Sequence, residues 1–434
     1  MLGAFLTARS LLPRPLRARL EHISGSSPVQ QATQILGWQL ATRAISFFGT
    51  AWMARCLGPS ALGISAVVLA ASNFVGLFCN LGLSLTGARE IAIRPHQADS
   101  TVQEIVGIRL RAALILGCLW LVATPFVTKM SAISGFAWLA GASLVFVNAL
   151  NTSWVLQGLE NLPLQSRVTA GAGVASALAY WVFFRPGAQA GSDLVVLSAV
   201  GLLSLLLTWR YVIARTRARI FARLDYSQAL RRVSSGKHAF GTTLAIYVFG
   251  DFNTLLVGAL ASSGEAGFLR AAATLATPVA MIATLSDQLL YPRLASWWKQ
   301  GPEVLLLRKW AVVKLYIVVA TGTLVLTAVL AKPMIRLVLG PAFGQVVVPF
   351  ILVVCGRLLA MISGVFRWAL LAAGEDRELF KLSATVAFLS IALSWVLVAK
   401  YGAIGAGATI VWCESLSLGL AWWRCSRCLR RSKH

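Results

Sequence analysis

The sequence has few charged residues and very few acidic ones. Of its 434 residues, 12% are charged and only 15 are Asp or Glu, whereas soluble domains carry about 25% charged residues. Apolar residues make up 58%, and the mean hydropathy is +0.75. A soluble fold of this size must cover itself with polar groups, so this composition excludes a set of soluble domains. It indicates an all-α polytopic membrane protein.

The sequence also lacks complete motifs for metal or nucleotide binding. Cys425 and Cys428 form one CxxC pair, whereas a zinc site needs a second ligand pair. There is no GxxxxGK[ST] motif, which argues against direct use of nucleotide energy. We therefore expect no metal site and no bound cofactor.

Long apolar runs alternate with short connections and predict about twelve transmembrane helices. The predicted spans are 32–54, 63–86, 108–128, 132–156, 166–184, 191–213, 238–260, 267–291, 310–331, 343–372, 381–399 and 403–423. Successive connections lie on opposite sides of the membrane. The tails and connections of one side carry 29 Lys and Arg residues, and those of the other side carry six. Cytoplasmic loops carry such an excess. We therefore expect both termini in the cytoplasm, and the net charge of +24 needs no nucleic-acid partner.

An internal repeat divides the chain into two six-helix halves. ARCLGPSALG, from Ala54, resembles GALASSGEAG, from Gly258, and this pairs Gly63 with Gly267 at an offset of 204 residues. Because six is even, both halves enter the membrane from the same side, as in transporters built from parallel repeats. We predict a basic tail at 1–31, an N-lobe at 32–213, a basic linker at 214–237, a C-lobe at 238–423 and a basic tail at 424–434.

Four stretches in this order resemble the polysaccharide (Wzx-type) flippases of the MOP superfamily. The first is MARCLGPSALGISAVVLAASNFVGLFCNLGLSLTGAREIA, from Met53. The others are the opening of the second half from Asp251, IRLVLGPAFGQVVVPFILVV from Ile335 and VLVAKYGAIGAGATIV from Val396. The resemblance covers about residues 30–420. It implies two lobes that rock around a central cavity, as in MATE and other MOP transporters.

The resemblance further implies a function and partners. It implies a non-enzymatic carrier of a polyprenyl-diphosphate-linked oligosaccharide across the bacterial inner membrane, for O-antigen, exopolysaccharide or capsule synthesis. Glycosyltransferases and a polysaccharide polymerase are then the expected protein partners, and membrane lipids surround the chain. One alternative is a multidrug cation exporter of the same superfamily. Another is a glycan polymerase or transferase, although the outer connections are too short for a typical catalytic loop.

Ionisable residues inside the membrane are costly and mark functional sites. A diphosphate is best bound by guanidinium groups, so the candidates for binding it are Arg43, Arg357, Arg270 and Arg55. Asp251 and Glu414 are candidates for proton or sodium coupling. Alternatively, Arg43 pairs with Asp251 and Arg357 with Glu414. Glycan recognition would need polar side chains, and the unranked candidates are Asn73, Asn80, Asn148, Asn151, Gln157 and Gln288.

Overall fold

The described part of the chain is helical throughout. The computed structural model describes residues 27–131, 133–216, 226–373 and 375–431, so most of the predicted basic tail at 1–31 lies outside it. In the first half the helices are α1 (Ser27–Asn80), α2 (Leu83–Ile93), α3 (Ala98–Met130), α4 (Gly135–Ala149), α5 (Ser153–Gly158), α6 (Leu162–Phe183) and α7 (Ser192–Thr216). In the second half they are α8 (Tyr226–Ser235), α9 (Lys237–Phe249), α10 (Phe252–Leu260), α11 (Ser263–Leu275), α12 (Thr277–Gln300), α13 (Pro302–Val338), α14 (Val347–Ala372) and α15 (Asp376–Arg431).

Seven of the described helical segments are long and apolar enough to cross a membrane, or eight if one bent pair counts as a span. The bent pair joins α11 to the start of α12 at an angle of 47°, and Pro278 lies at the start of its second helix. Helices satisfy every backbone hydrogen bond internally, which lipid requires. Side chains such as Phe126, Phe183 and Val318 are about 70% exposed or more on these helices, as expected for surfaces that face lipid. The chain is a multi-pass membrane protein.

The predicted spans all fall in helical segments, but two pairs of them are fused. The first span and most of the second lie in α1, which breaks at Gly58 (φ 73°), and the last two lie in α15, which breaks at Gly402 (φ 54°). Glycine adopts these positive φ angles without strain. The fifth span corresponds to α6 and the seventh to the broken pair α9–α10; among the described helices, these do not meet the length and hydropathy criterion. Twelve crossings therefore remain a prediction.

The two halves meet at the face that carries few basic residues, which we call the outer face. There the turn of α1 packs on the start of α11. A Cβ on Gly63 would overlap the carbonyl oxygen of Ser263, and a Cβ on Gly267 would overlap that of Pro59. Pro59 and Ser263 are separated by the same 204 residues as the two glycines. A two-fold relation between the halves produces such a reciprocal contact.

Candidate functional site

A large cavity lies between the two halves, and we call it the arginine cavity. Its volume is about 910 Å³. Residues from α1, α6 and α11 line most of it, so it is bounded by both halves of the chain. The lining residues are Thr42, Arg43, Ser46, Phe47, Thr50, Gln157, Leu162, Gln165, Ser166, Thr169, Ala170, Gly173, Arg270, Ala273, Thr274 and Thr277. Among these described residues, two are cationic and none is acidic.

Arg43 and Arg270, one from each half, bring two guanidinium groups to the same cavity. Arg43 is exposed, and within the described residues it has no ion pair and no hydrogen-bond partner. Arg270 interacts electrostatically with the buried carboxylate of Asp193, which itself accepts a 2.6 Å hydrogen bond from Ser65 Oγ. The guanidinium of Arg43 is therefore the less neutralised of the two. Each half thus contributes one guanidinium group to the lining of this cavity.

Hydroxyl groups line the arginine cavity in rows with helical spacing. Thr42, Ser46 and Thr50 recur every four residues on α1, and Thr274 lies four residues after Arg270 on α11. Ser46 and Thr50 donate to carbonyl oxygens one turn earlier at 2.8 and 2.9 Å. Because a hydroxyl has one donor, these groups present lone pairs to the cavity. The charged donors for an anion come from the two arginines, and Gln157 and Gln165 add neutral amide donors to the lining.

A second pocket, which we call the amide pocket, adjoins the first. Its volume is about 530 Å³. Gln157 lines both cavities, so they share a wall. The lining residues of the amide pocket are Asn73, Gly76, Leu77, Asn80, Ser84, Arg109, Asn148, Asn151, Ser153, Trp154, Gln157, Thr243, Tyr247, Gly250 and Asp251. Five of the six amides that sequence alone left unranked thus lie in one pocket; the side chain of Gln288 is outside the described part.

Asp251 lies in the amide pocket at a break between two helices. It caps α10, and α9 ends two residues earlier at Phe249. Its carboxylate accepts a 2.8 Å hydrogen bond from Asn73 Nδ2, and Asn73 Oδ1 in turn accepts from Asn148 Nδ2 at 3.3 Å. Discontinuous membrane helices often form binding sites. This break brings a carboxylate of the second half against amides of the first.

Arg109 is a buried cation that the sequence analysis did not single out. The side chain is 3% exposed. Its guanidinium donates to the carbonyl oxygens of Asn148 at 2.9 Å and Asn151 at 3.3 Å, and to Ser84 Oγ at 3.2 Å. Arg109 lies at the edge of a predicted span, where sequence alone assigned it to the basic loop. These bonds hold the turn that joins α4 to α5.

The other predicted arginines lie elsewhere. Arg55 lies at the outer turn of α1 and donates to the carbonyl oxygen of Leu337 at 3.4 Å. Arg357 is exposed on α14, near Glu414. Neither residue is among those that line the arginine cavity. Of the four arginine candidates, the structure brings Arg43 and Arg270 to one cavity and places Arg55 and Arg357 outside its lining; diphosphate binding by any of them stays a prediction.

The alternative pairings suggested by the sequence are not observed. The ion pairs within 4 Å among the described residues join Arg232 to Glu90 and Glu104, and Glu378 to Lys381 and Arg424. Arg43 does not pair with Asp251, which binds Asn73 instead. Glu414 lies near both Arg367 and Arg357 and forms an ion pair within 4 Å with neither. Its Oε2 atom is buried without a hydrogen-bond partner in the described part.

Several side chains that line or support the cavities were missed, although the sequence contains signals for some of them. Polar residues at helical spacing within predicted spans, such as Thr42, Ser46 and Thr50, would have identified the cavity-facing side of α1. Arg109 and Asp193 are harder to find, because both lie at the ends of apolar segments where a charge is expected to reach water. Only the packed structure shows that they are buried.

Comparisons with known proteins agree with this architecture. A family model described as "Polysaccharide biosynthesis protein" matches residues 29–298. The lipid II flippase MurJ in an inward closed conformation has a similar structure, with a TM-score of 0.71 and 11% identity over 90% of this chain and 87% of the other. An inward-facing MATE multidrug transporter of the MOP superfamily matches with a TM-score of 0.63 and 14% identity over 90% and 96%. No curated protein matches significantly.

These findings define a class and a family. The chain shares its fold with the MurJ flippase and the MATE transporter, and its two halves flank the arginine cavity. The chain belongs to the polysaccharide biosynthesis protein family, since the family model covers more than half of it. This confirms the resemblance found in the sequence motifs.

Proposed function

We propose that the protein is a flippase that moves a polyprenyl-diphosphate-linked oligosaccharide from the cytoplasmic to the outer leaflet. The observation that supports this most strongly is the arginine cavity, which holds Arg43 and Arg270 between the two halves and is lined by no acidic residue in the described part. A guanidinium donates paired hydrogen bonds to phosphate oxygens. The cavity therefore suits a diphosphate and disfavours a cationic drug.

The same geometry suggests how the lipid is loaded. The outer face is closed by the contact between Gly63 and Gly267, whereas Gln157, Leu162 and Gln165 line the cavity beside the connection between α5 and α6, which the predicted topology places on the cytoplasmic side. An arginine of each half binds the same diphosphate, so binding favours states in which both halves stay close to it. Translocation then requires the outer contact to open while the basic face closes, as in alternating access.

The location and partners follow from this function. The basic connections lie in the cytoplasm together with both termini, and the chain lies in a bacterial inner membrane. Glycosyltransferases that assemble the sugars on the lipid supply the substrate. A polymerase or a transferase on the opposite side consumes it, in the synthesis of a surface polysaccharide. The carrier itself makes and breaks no covalent bond.

Energy for transport comes from a proton or sodium gradient in this proposal. Asp251 is the coupling candidate that links the halves, through Asn73. Glu414 is the second candidate, since it is a buried carboxylate near Arg367. Imposing each gradient separately on proteoliposomes with the native protein and with Glu414→Gln identifies the ion. A transport rate that responds to neither gradient contradicts the coupling.

Transport in proteoliposomes tests the proposed function. The native protein, Arg43→Gln and the control Arg185→Gln, which alters an exposed arginine of an outer connection, would be compared. Each would be offered a fluorescent polyprenyl-diphosphate oligosaccharide and, separately, a cationic dye. We expect lipid translocation that Arg43→Gln abolishes and Arg185→Gln preserves, without dye transport. Dye transport without lipid movement would favour a multidrug exporter and overturn the proposal.

A further inference from the structure

Five amide side chains converge in the amide pocket, and the proposed diphosphate site does not use four of them. They are Asn73, Asn80, Asn148, Asn151 and the shared Gln157. An amide group supplies two donors and two acceptor lone pairs, which matches the hydroxyl groups of a sugar. A phosphate would instead require cationic donors that are free to bind it. The pocket volume of about 530 Å³ lies within the usual range for small-molecule sites.

The position of the pocket fits the covalent structure of the proposed substrate. In a polyprenyl-diphosphate glycan, the first sugar is bonded directly to the diphosphate. Its binding site must therefore touch the diphosphate site, and Gln157 lines both cavities. With the diphosphate at Arg43 and Arg270, the first sugar can enter the amide pocket past Gln157.

We infer that the amide pocket is a saccharide subsite that binds a neutral sugar, a hexose or an N-acetylhexosamine, next to the diphosphate. This inference rests on the proposed function. It goes further because it separates the residues that bind the sugar from those that bind the anion, and because it specifies the charge of the sugar.

The hydrogen-bond network fixes the orientation of two of the amides. A carboxylate only accepts hydrogen bonds, so Asn73 must turn its NH₂ group toward Asp251. Asn73 Oδ1 then accepts from the NH₂ group of Asn148. This chain leaves Asn148 Oδ1 as an acceptor for a sugar hydroxyl and uses only one of the two Asn73 N–H donors. The pocket is thus organised by protein contacts alone.

Two buried donors in the pocket wall support a polar ligand. The indole Nε1 of Trp154 and Nε of Arg109 are buried and have no hydrogen-bond partner among the described residues. Both residues line the pocket and are at most 3% exposed. A buried donor without a partner costs about 1–3 kcal/mol, and a sugar oxygen would relieve that cost once a shift of the pocket wall exposed either atom.

The charges around the pocket select against an acidic sugar. The carboxylate of Asp251 lines the pocket and repels a uronic acid. Among the described residues that line the pocket, Arg109 is the cationic one. Its guanidinium already donates to two backbone carbonyls and to Ser84 Oγ. A neutral sugar meets neither difficulty.

Binding to the detergent-purified, full-length protein tests the subsite. The probes are a polyprenyl diphosphate without sugar and the same lipid bearing N-acetylglucosamine, galactose or glucuronic acid. We expect at least one neutral sugar to tighten binding about tenfold, as one or two added hydrogen bonds would, and glucuronic acid not to. Asn148→Ala and Asn73→Ala should remove most of this gain and leave the affinity for the bare lipid within about twofold. The control Gln189→Ala, in an exposed outer connection, should change neither affinity.

The outcomes separate the subsite from the proposed function. If every glycosylated lipid binds the native protein no more tightly than the bare lipid, the subsite is overturned although the flippase stands. If Asn148→Ala and Asn73→Ala weaken the bare and glycosylated lipids equally, the amides are structural and the inference also fails. If the bare lipid shows no binding that Arg43→Gln weakens, the diphosphate site fails, and the subsite fails with it.

Discussion

Gly63 and Gly267 pack against each other across the interface of the two halves, and neither position has room for a side chain. A Cβ on Gly63 would lie 2.7 Å from the backbone nitrogen of Gly267 and would also overlap the carbonyl oxygen of Ser263. Both atoms belong to backbone that cannot rotate away. In the proposed mechanism this contact closes the outer face, so its strength would set how readily that face opens.

We predict that Gly63→Ala and Gly267→Ala each shift the protein toward a state open at the outer face. Ser60 and Ser262 both lie beside Gly264 in this contact, so a disulfide between Ser60→Cys and Ser262→Cys reports closure when the native cysteines are replaced. Either alanine should reduce cross-linking several-fold. Gly322→Ala, at a helix position with open space, is the matched control. Unchanged cross-linking in both alanine variants would contradict a gate at this contact.

A second prediction concerns which arginines bind the lipid diphosphate. Arg43→Gln and Arg270→Gln should each weaken binding of a polyprenyl diphosphate by about tenfold or more, because each removes a charge-assisted interaction of about 1.5–3 kcal/mol. Arg55→Gln and Arg357→Gln should change it by less than about twofold, since neither residue lines the cavity. Titration of the purified variants measures this directly. A large loss in Arg357→Gln with none in Arg270→Gln would place the anion elsewhere.

Arg109 should be essential for stability. Arg109→Leu leaves the carbonyl oxygens of Asn148 and Asn151 without their donor, and an unsatisfied buried group costs about 1–3 kcal/mol. We expect the melting temperature in detergent to fall by several degrees. Arg109→Lys should restore little, because a single ammonium cannot reproduce the planar fork that contacts three acceptors. A melting temperature equal to that of the native protein would show that the turn does not need these bonds.

The break in α15 depends on Glu265. Its Oε2 atom accepts a 2.8 Å hydrogen bond from the backbone nitrogen of Ala403, next to Gly402. Glu265→Ala should lower the free energy of unfolding by about 1–2 kcal/mol. Glu265→Gln keeps an acceptor oxygen and should retain most of the stability. Thermal unfolding of both variants measures the difference, and equal losses would indicate that the charge, rather than the hydrogen bond, stabilises the break.

The fold was largely predictable because it depends on patterns that extend over many residues. Apolar runs located every predicted span within helical structure, and the offset between Gly63 and Gly267 indicated the repeat. The fusion of spans at Gly58 and Gly402 was not predicted. A single glycine in an apolar stretch does not reveal whether the helix ends or only bends there.

The site was predictable in part. The high free energy of placing a charge in the membrane identifies candidate residues, but it does not show which of them lie close together in the fold. Arg43 and Arg270 were both candidates, yet only packing of α1 against α11 brings them to one cavity. Asp251 was a candidate whose suggested partner was Arg43, and its observed bond to Asn73 depends on the break between α9 and α10. Arg109 was missed because burial of a residue near a span end depends on the neighbouring helices.

The most direct test is a cryo-electron microscopy structure with a bound polyprenyl-diphosphate saccharide. The density for the two phosphates shows which residues bind the anion. We predict that the phosphates lie between Arg43 and Arg270, with the first sugar beside Gln157. Phosphates bound outside the arginine cavity, at Arg357 or at Arg55, would contradict the account.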